Sequence, residues 1–179
     1  MNSKLLDILP ELNEIKDQTL LQKTISCFEE AMQTGGWRAE ELDKIPFTLL
    51  IPDCKISFLQ HVRAVTQVSL HSARTLQVFY AAHYSIDMDQ LVAGSVLHDI
   101  GKLLEYKLED QNYQKSESGR YLRHPFSGVA IASKWRLPDK VLHIIATHAK
   151  EGDHGKRCPE AVIVHHADFM NFEPLKDVF

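Results

Sequence analysis

Within the apolar run "GSVLHDIGKLLEY", residues 94–106, His98 and Asp99 stand side by side. An ionised carboxylate removed from water must be paired or bound to a cation, or it neutralises. The doublet therefore asks for partners from elsewhere in the chain. The chain carries ten histidines, most of them between His83 and His166. Six positions stand out near helix ends or among apolar residues: one histidine of the 56–84 segment, His98, Asp99, His124, His148 and Asp168. Imidazole nitrogens mixed with carboxylate oxygens suit divalent Fe, Mn, Co, Ni or Zn. The nitrogen count disfavours an all-oxygen calcium or magnesium cage. No serine or cysteine stands out beside a histidine base, so a side-chain nucleophile is not indicated.

Each of these residues also has a plainer reading. His124 precedes Pro125 and could simply open a helix. His148 could be a cation favoured by a helix C-terminus. Asp168 could be a surface acid, yet it lies near Val162, Ile163, Val164 and Phe169. His165, three residues before Asp168, shares its helix face and is a candidate support for the site. His83 and His143 read as hydrogen-bonded core residues and His154 as exposed. Lys102 reads on its own as a solvated or snorkelling lysine. Arg120 and Arg123 flank the approach to His124 and are candidates for an anionic substrate. Trp37 and Trp135 read as packing residues.

The elements that must position these groups are helical. Leu5, Leu6, Leu9, Leu12 and Ile15, then Leu20, Leu21, Ile25 and Phe28, recur at helical spacing, and "TGG" at 34–36 stops that segment. "IPFTLLIPD" is Pro-bounded and reads as an irregular linker. Residues 56–84 predict one long helix with Phe58, Val62, Val65, Val68, Leu76 and Phe79 inward. Asp87 or Asp89 caps the next helix, which Gly101 ends or kinks. Residues 109–120 read as an exposed loop, 125–137 and 138–149 as helices, and 160–172 as a final helix. No segment shows strand alternation. The expected fold is all-α, with an N-terminal helical segment at 1–50 and a main domain at 51–179.

"LVAGSVLHDIGK", Leu91–Lys102, resembles the defining segment of the HD superfamily of metal-dependent phosphohydrolases, named for its His-Asp doublet. "RHPFSGVAIASKWRLPDKVLHIIATHAKEGD" resembles the next stretch of members with extra histidines, and "PEAVIVHHADF" their closing helix. The likeness covers about residues 56–172. It implies an HD-domain helical bundle in which a first histidine, His98, Asp99 and Asp168 surround one metal. His124 and His148 match the added ligands of the two-metal subgroup, with Asp99 bridging both ions. For the first histidine, "FLQHVRAV" gives His61 on motif likeness. Helix geometry speaks for the alternative His71, since His61 lies ten residues further from the turn near Ser85, about 15 Å.

The resemblance implies hydrolysis of a phosphomonoester or phosphodiester, of a nucleotide or small phosphorylated metabolite, by metal-activated water, with Asp99 and Lys102 catalytic. Di-iron oxygenases of the inositol-oxygenase type share the ligands and stand as an alternative, as does a non-catalytic metal-binding signalling module. The Gly-Tyr-Pro motif of the cyclic-dinucleotide branch is absent after His148, and Ala149 replaces that branch's further histidine. A net charge of −4 and the lack of a basic stripe disfavour long nucleic acid. No signal peptide or membrane span is legible, and three scattered cysteines give no disulfide framework, so a cytoplasmic setting is expected. Homo-oligomerisation is left open.

Overall fold

Helix α4 (Met88–Leu97) is the axis of the molecule, because "LVAGSVL" offers no polar face and every residue from Leu91 to Leu97 is buried. The computed structural model describes residues 2–176, and the elements follow in chain order. Helix α1 (Asn2–Ile8), a 3-10 turn (Pro10–Glu14) and α2 (Gln18–Gly35) precede a largely irregular stretch with a 3-10 turn (Ala39–Glu41), then α3 (Phe58–Tyr80). After α4 come the single-turn α5 (Lys102–Glu105), strands β1 (Tyr106–Glu109) and β2 (Asn112–Lys115), and α6 (Glu117–Tyr121). The chain closes with α7 (His124–Lys134), α8 (Asp139–Thr147) and α9 (Pro159–Lys176). Helices α3, α8, α9 and α2 all pack on α4. Leu9, Leu12, Ile25 and Phe28 of the N-terminal elements share one apolar cluster with Val92, Val96 and Leu97.

Local signals set the helix ends. Asp17, Ser57 and Asp87 cap α2, α3 and α4, and Gly36, at φ 76°, closes α2 in the left-handed region. Of the two acids proposed for the α4 cap, Asp87 takes that role. Asp89 instead accepts the backbone N–H groups of Lys16 and Asp17, at 3.1 and 2.7 Å.

Three expectations need correction. The exposed loop expected over 109–120 is largely a β-hairpin plus α6, so the chain is all-α with one two-stranded antiparallel sheet. Asp110 and Gln111 turn the hairpin at φ 48° and 63°, both left-handed as a two-residue turn of this hand needs. They lack the glycine that usually announces such a turn. The long helix ends at Tyr80, and Phe79 is exposed rather than inward. His83, read as a core residue, is exposed beyond that end.

Candidate metal centre

The site forms where α4 stops. His98 ends α4, a turn through Gly101 follows, and Lys102 opens α5. A Cβ on Gly101 would stand 2.0 Å from the His124 carbonyl, so only glycine lets the α7 entrance approach this turn. His124 begins α7 with Pro125 behind it, and His148 ends α8. Asp168 lies mid-way along α9, and His61 in the first turn of α3.

These six residues converge. Oδ2 of Asp99 lies 3.3 Å from His61 Nε2 and 3.4 Å from His98 Nε2. Its other oxygen, Oδ1, lies 3.2 Å from His124 Nε2 and 3.6 Å from His148 Nε2. Asp168 Oδ1 is 3.1 Å from His61 Nε2. Two groups of donor atoms, His61–His98–Asp99 and Asp99–His124–His148, each fit within 4.8 Å and share the one carboxylate.

The ring tautomers decide what such a cluster wants. His98 Nδ1 is 2.6 Å from the Ser95 carbonyl and His148 Nδ1 2.9 Å from the Ile145 carbonyl. A carbonyl only accepts, so these nitrogens carry the proton and each Nε2 presents a lone pair. His124 Nδ1 faces Glu105 Oε2 at 3.2 Å in the same sense. The Nε2 atoms of His124 and His148 are nevertheless 3.1 Å apart, and those of His61 and His98 3.3 Å. For His124 and His148 these are facing lone pairs, which repel at that distance unless a cation lies among them; at His61 burial is opposed and outweighed by the Asp168 and Asp99 carboxylates, which raise its pKa. Burial, opposed by the Glu105 contact, lowers the His124 pKa to about 4, so a proton is not the cation that half of the site holds at neutral pH. The donor set fits divalent transition metal.

The carboxylates are held ionised. Burial pushes Asp99 upward, but the Lys102 charge and the surrounding imidazoles outweigh it and hold the group well below the usual range. Asp168 is treated alike by burial and by its bond to His61, and ends at about 2. Lys102 Nζ donates to Asp99 Oδ2 and to the Phe47 carbonyl, both at 2.6 Å. Burial lowers the Lys102 pKa, while Asp99 more than restores it.

His71, the alternative first histidine, is exposed on the outer face of α3 with its Nδ1 on the Gln67 carbonyl, away from the cluster. The helix-geometry argument for it assumes a tight turn near Ser85. From 61 to 80 the helix rises about 28 Å and from 88 to 98 about 15 Å, so the 81–87 connection must run back about 13 Å along α3. It does so: the Ile86 carbonyl accepts from Gln77 at 3.3 Å, and the last turns of α3 overhang. His143 is half-buried and accepts the Cys158 N–H, and His154 is exposed. His165 Nδ1 bonds the His148 carbonyl at 2.6 Å, so it braces His148 rather than Asp168. Arg123 is engaged by Glu105 and Glu151, at 3.1 and 3.0 Å, and Arg120 is exposed.

Two contributors were missed in the sequence. Glu105 is a second buried acid in the very run that opened the reading. It accepts the His124 N–H at 2.8 Å and faces Lys115 at 3.3 Å. Applying the buried-charge argument to every acid of that run would have found it. Phe47, in the supposed linker, stacks on the His61 ring at 4.4 Å. A cavity of about 300 Å³ opens from Asp99 and Lys102 between this linker and Phe169 and Phe172 of α9.

The HD domain family model matches residues 58–170. A dihydroneopterin 2',3'-cyclic phosphate phosphodiesterase of Methanocaldococcus jannaschii is 32% identical over 120 residues, 62% of this chain and 44% of that protein. Ribonuclease Y of Pseudothermotoga lettingae is 29% identical over 56% of this chain and 18% of its own length. Ribonuclease Y of Desulforamulus reducens is 33% identical over 51% and 15%. The chain thus spans less than half the length of these curated relatives. No solved structure gives a significant match. No described helix is long and apolar enough to cross a membrane. The doublet, the ring of imidazoles around it and a family match over most of the chain agree: this protein belongs to the HD domain family.

Proposed function

We propose that the protein is a metal-dependent phosphohydrolase acting on a phosphate ester of a small molecule, with two divalent transition metal ions as its working complement. The observation that carries this reading is the division of Asp99, with one oxygen serving His61 and His98 and the other serving His124 and His148. His61, His98, Asp99 and Asp168 would hold one ion, and Asp99, His124 and His148 the other. When bound, such ions supply an acidified water and positive charge for the phosphoryl oxygens.

The remaining steps belong to the chain's own groups. Lys102 stands at the cavity floor and offers charge to the phosphoryl oxygens as they become more negative. Asp99 keeps that ammonium in place through a 2.6 Å bond. Glu105 fixes the His124 ring, so the Nε2 lone pair points inward. Lys150 lines the cavity and makes no ion pair among the described residues, so it is available to an anionic substrate. The phosphodiesterase relative, named for a small cyclic phosphate, agrees with this class of substrate.

The test is turnover of a panel of 2',3'-cyclic mononucleotides, nucleoside monophosphates and bis-p-nitrophenyl phosphate after loading with Mn²⁺ or Fe²⁺, with and without oxygen. Release of phosphate or alcohol that is indifferent to oxygen is expected. Failure to cleave any ester, with oxygen consumed instead, would replace the hydrolase by the oxygenase alternative.

A further inference from the structure

The wall of the cavity opposite α9 comes from outside the family-matched segment. Phe47 and its neighbours Thr48, Leu49 and Leu50 precede residue 58, where the family match begins, yet all four line the cavity. This strap is fixed in place. The Phe47 N–H donates to the Ile56 carbonyl at 3.1 Å, Pro46 pairs with Ser57 as an isolated bridge, and the Phe47 carbonyl takes the Lys102 ammonium. The Phe47 ring is 1% exposed, packed on His61 and edge-on to Phe172 at 6.1 Å. Only Leu50 projects, 72% exposed at the rim.

A strap so anchored cannot swing aside without releasing Lys102. It leaves a cavity of about 300 Å³, at the small end of the range for ligand pockets of about 300–1,000 Å³. A nucleic acid strand needs a trough open at both ends with cations along its backbone. Here Phe47, Leu49 and Leu50 wall one side of the cavity and Phe169 and Phe172 the other, so apolar side chains rather than a row of cations flank it. The cations near it are partly spent on Glu105 and Glu151.

We infer that the 46–50 strap is the specificity element of this site: it admits a phosphate ester of one small unit and rejects a polynucleotide strand. The inference rests on the phosphohydrolase reading and adds which part of the chain chooses the substrate. Leu49 and Leu50 are its specificity-determining side chains, closing on Phe172 of the facing wall, and they act on the bulk of the ester rather than on the reacting phosphorus.

The experiment compares a 2',3'-cyclic mononucleotide with a hexaribonucleotide, using the full chain loaded with Mn²⁺. Binding of nucleoside monophosphate and of the hexamer is measured in parallel. Wild type should favour the mononucleotide in kcat/KM by about 100-fold or more. In Leu49→Ala/Leu50→Ala, and separately in Phe172→Ala, that preference should fall by about tenfold, the scale on which lost apolar contacts change discrimination. Phe172→Tyr should retain it. Equal turnover of both substrates by wild type, or an unchanged preference in Leu49→Ala/Leu50→Ala whatever Phe172→Ala does, would overturn the inference. Absence of all turnover would count against the phosphohydrolase reading alone, because the binding arm still decides. Selective binding of the mononucleotide supports the strap's role, and equal binding refutes it.

Discussion

At Asp99 burial and charge pull in opposite directions, and the cluster is built so that charge wins. A carboxylate with 1% exposure stays ionised because an ammonium and four imidazoles surround it. Glu105 repeats the device six residues further on. Burial raises its pKa, while His124 and Arg123 bring it down to about 2. It is therefore a fixed negative charge behind the His124 ring, an arrangement that orients a histidine and raises its donor strength. Glu105→Gln keeps an acceptor for the His124 N–H but loses the charge. It should weaken binding of one ion of the pair by about 10- to 100-fold, measured by competition with a chromophoric chelator. The other ion and the far-ultraviolet circular dichroism should be untouched. Equal affinity for both ions in variant and wild type would remove Glu105 from the site.

At the scale of elements, helix termini deliver most of the chemistry. His98 and His148 end helices, His124 begins one, and the turn at Gly101 lets two of these ends meet. Gly101→Ala would drive its Cβ into the His124 carbonyl and the Ser127 hydroxyl, at 2.0 and 2.6 Å. Backbone cannot retreat as a flexible side chain can. We expect a loss of about 1–3 kcal/mol by urea denaturation, together with displacement of His124. Stability equal to wild type would show that the α5 and α7 entrances are looser than described.

The same scale explains what was legible in the sequence. The doublet, His124, His148 and Asp168 could be read because each is a polar group where its neighbours demand burial. The choice between His61 and His71 turned on the 81–87 connection, whose backward run along α3 leaves no mark in residue periodicity. The β-hairpin was hidden for a related reason. Both strands are largely exposed, so no alternation appears, and a Gln in the left-handed region is not a turn signal. Glu105 and Phe47 were legible in part, the first as a buried acid in an apolar run, the second only once the strap was seen to close over His61.

Across the whole molecule, five separate stretches of chain are drawn to one point around a single apolar helix. Residues 5–57, outside the family match, supply both a share of the core and a wall of the cavity. Such a construction suits a point of convergence that holds cations, which would stand between the facing His124 and His148 lone pairs and add to the Lys102 charge beside the two ionised carboxylates. The most direct measurement is the metal content of protein purified without chelator and equilibrated with Mn²⁺, Fe²⁺ or Zn²⁺. It should be taken alongside Asp99→Ala and His71→Ala. Close to two ions per chain are expected for wild type and for His71→Ala, with nearly none retained by Asp99→Ala. Wild type that stays free of metal, or Asp99→Ala that binds as much as wild type, would contradict the account.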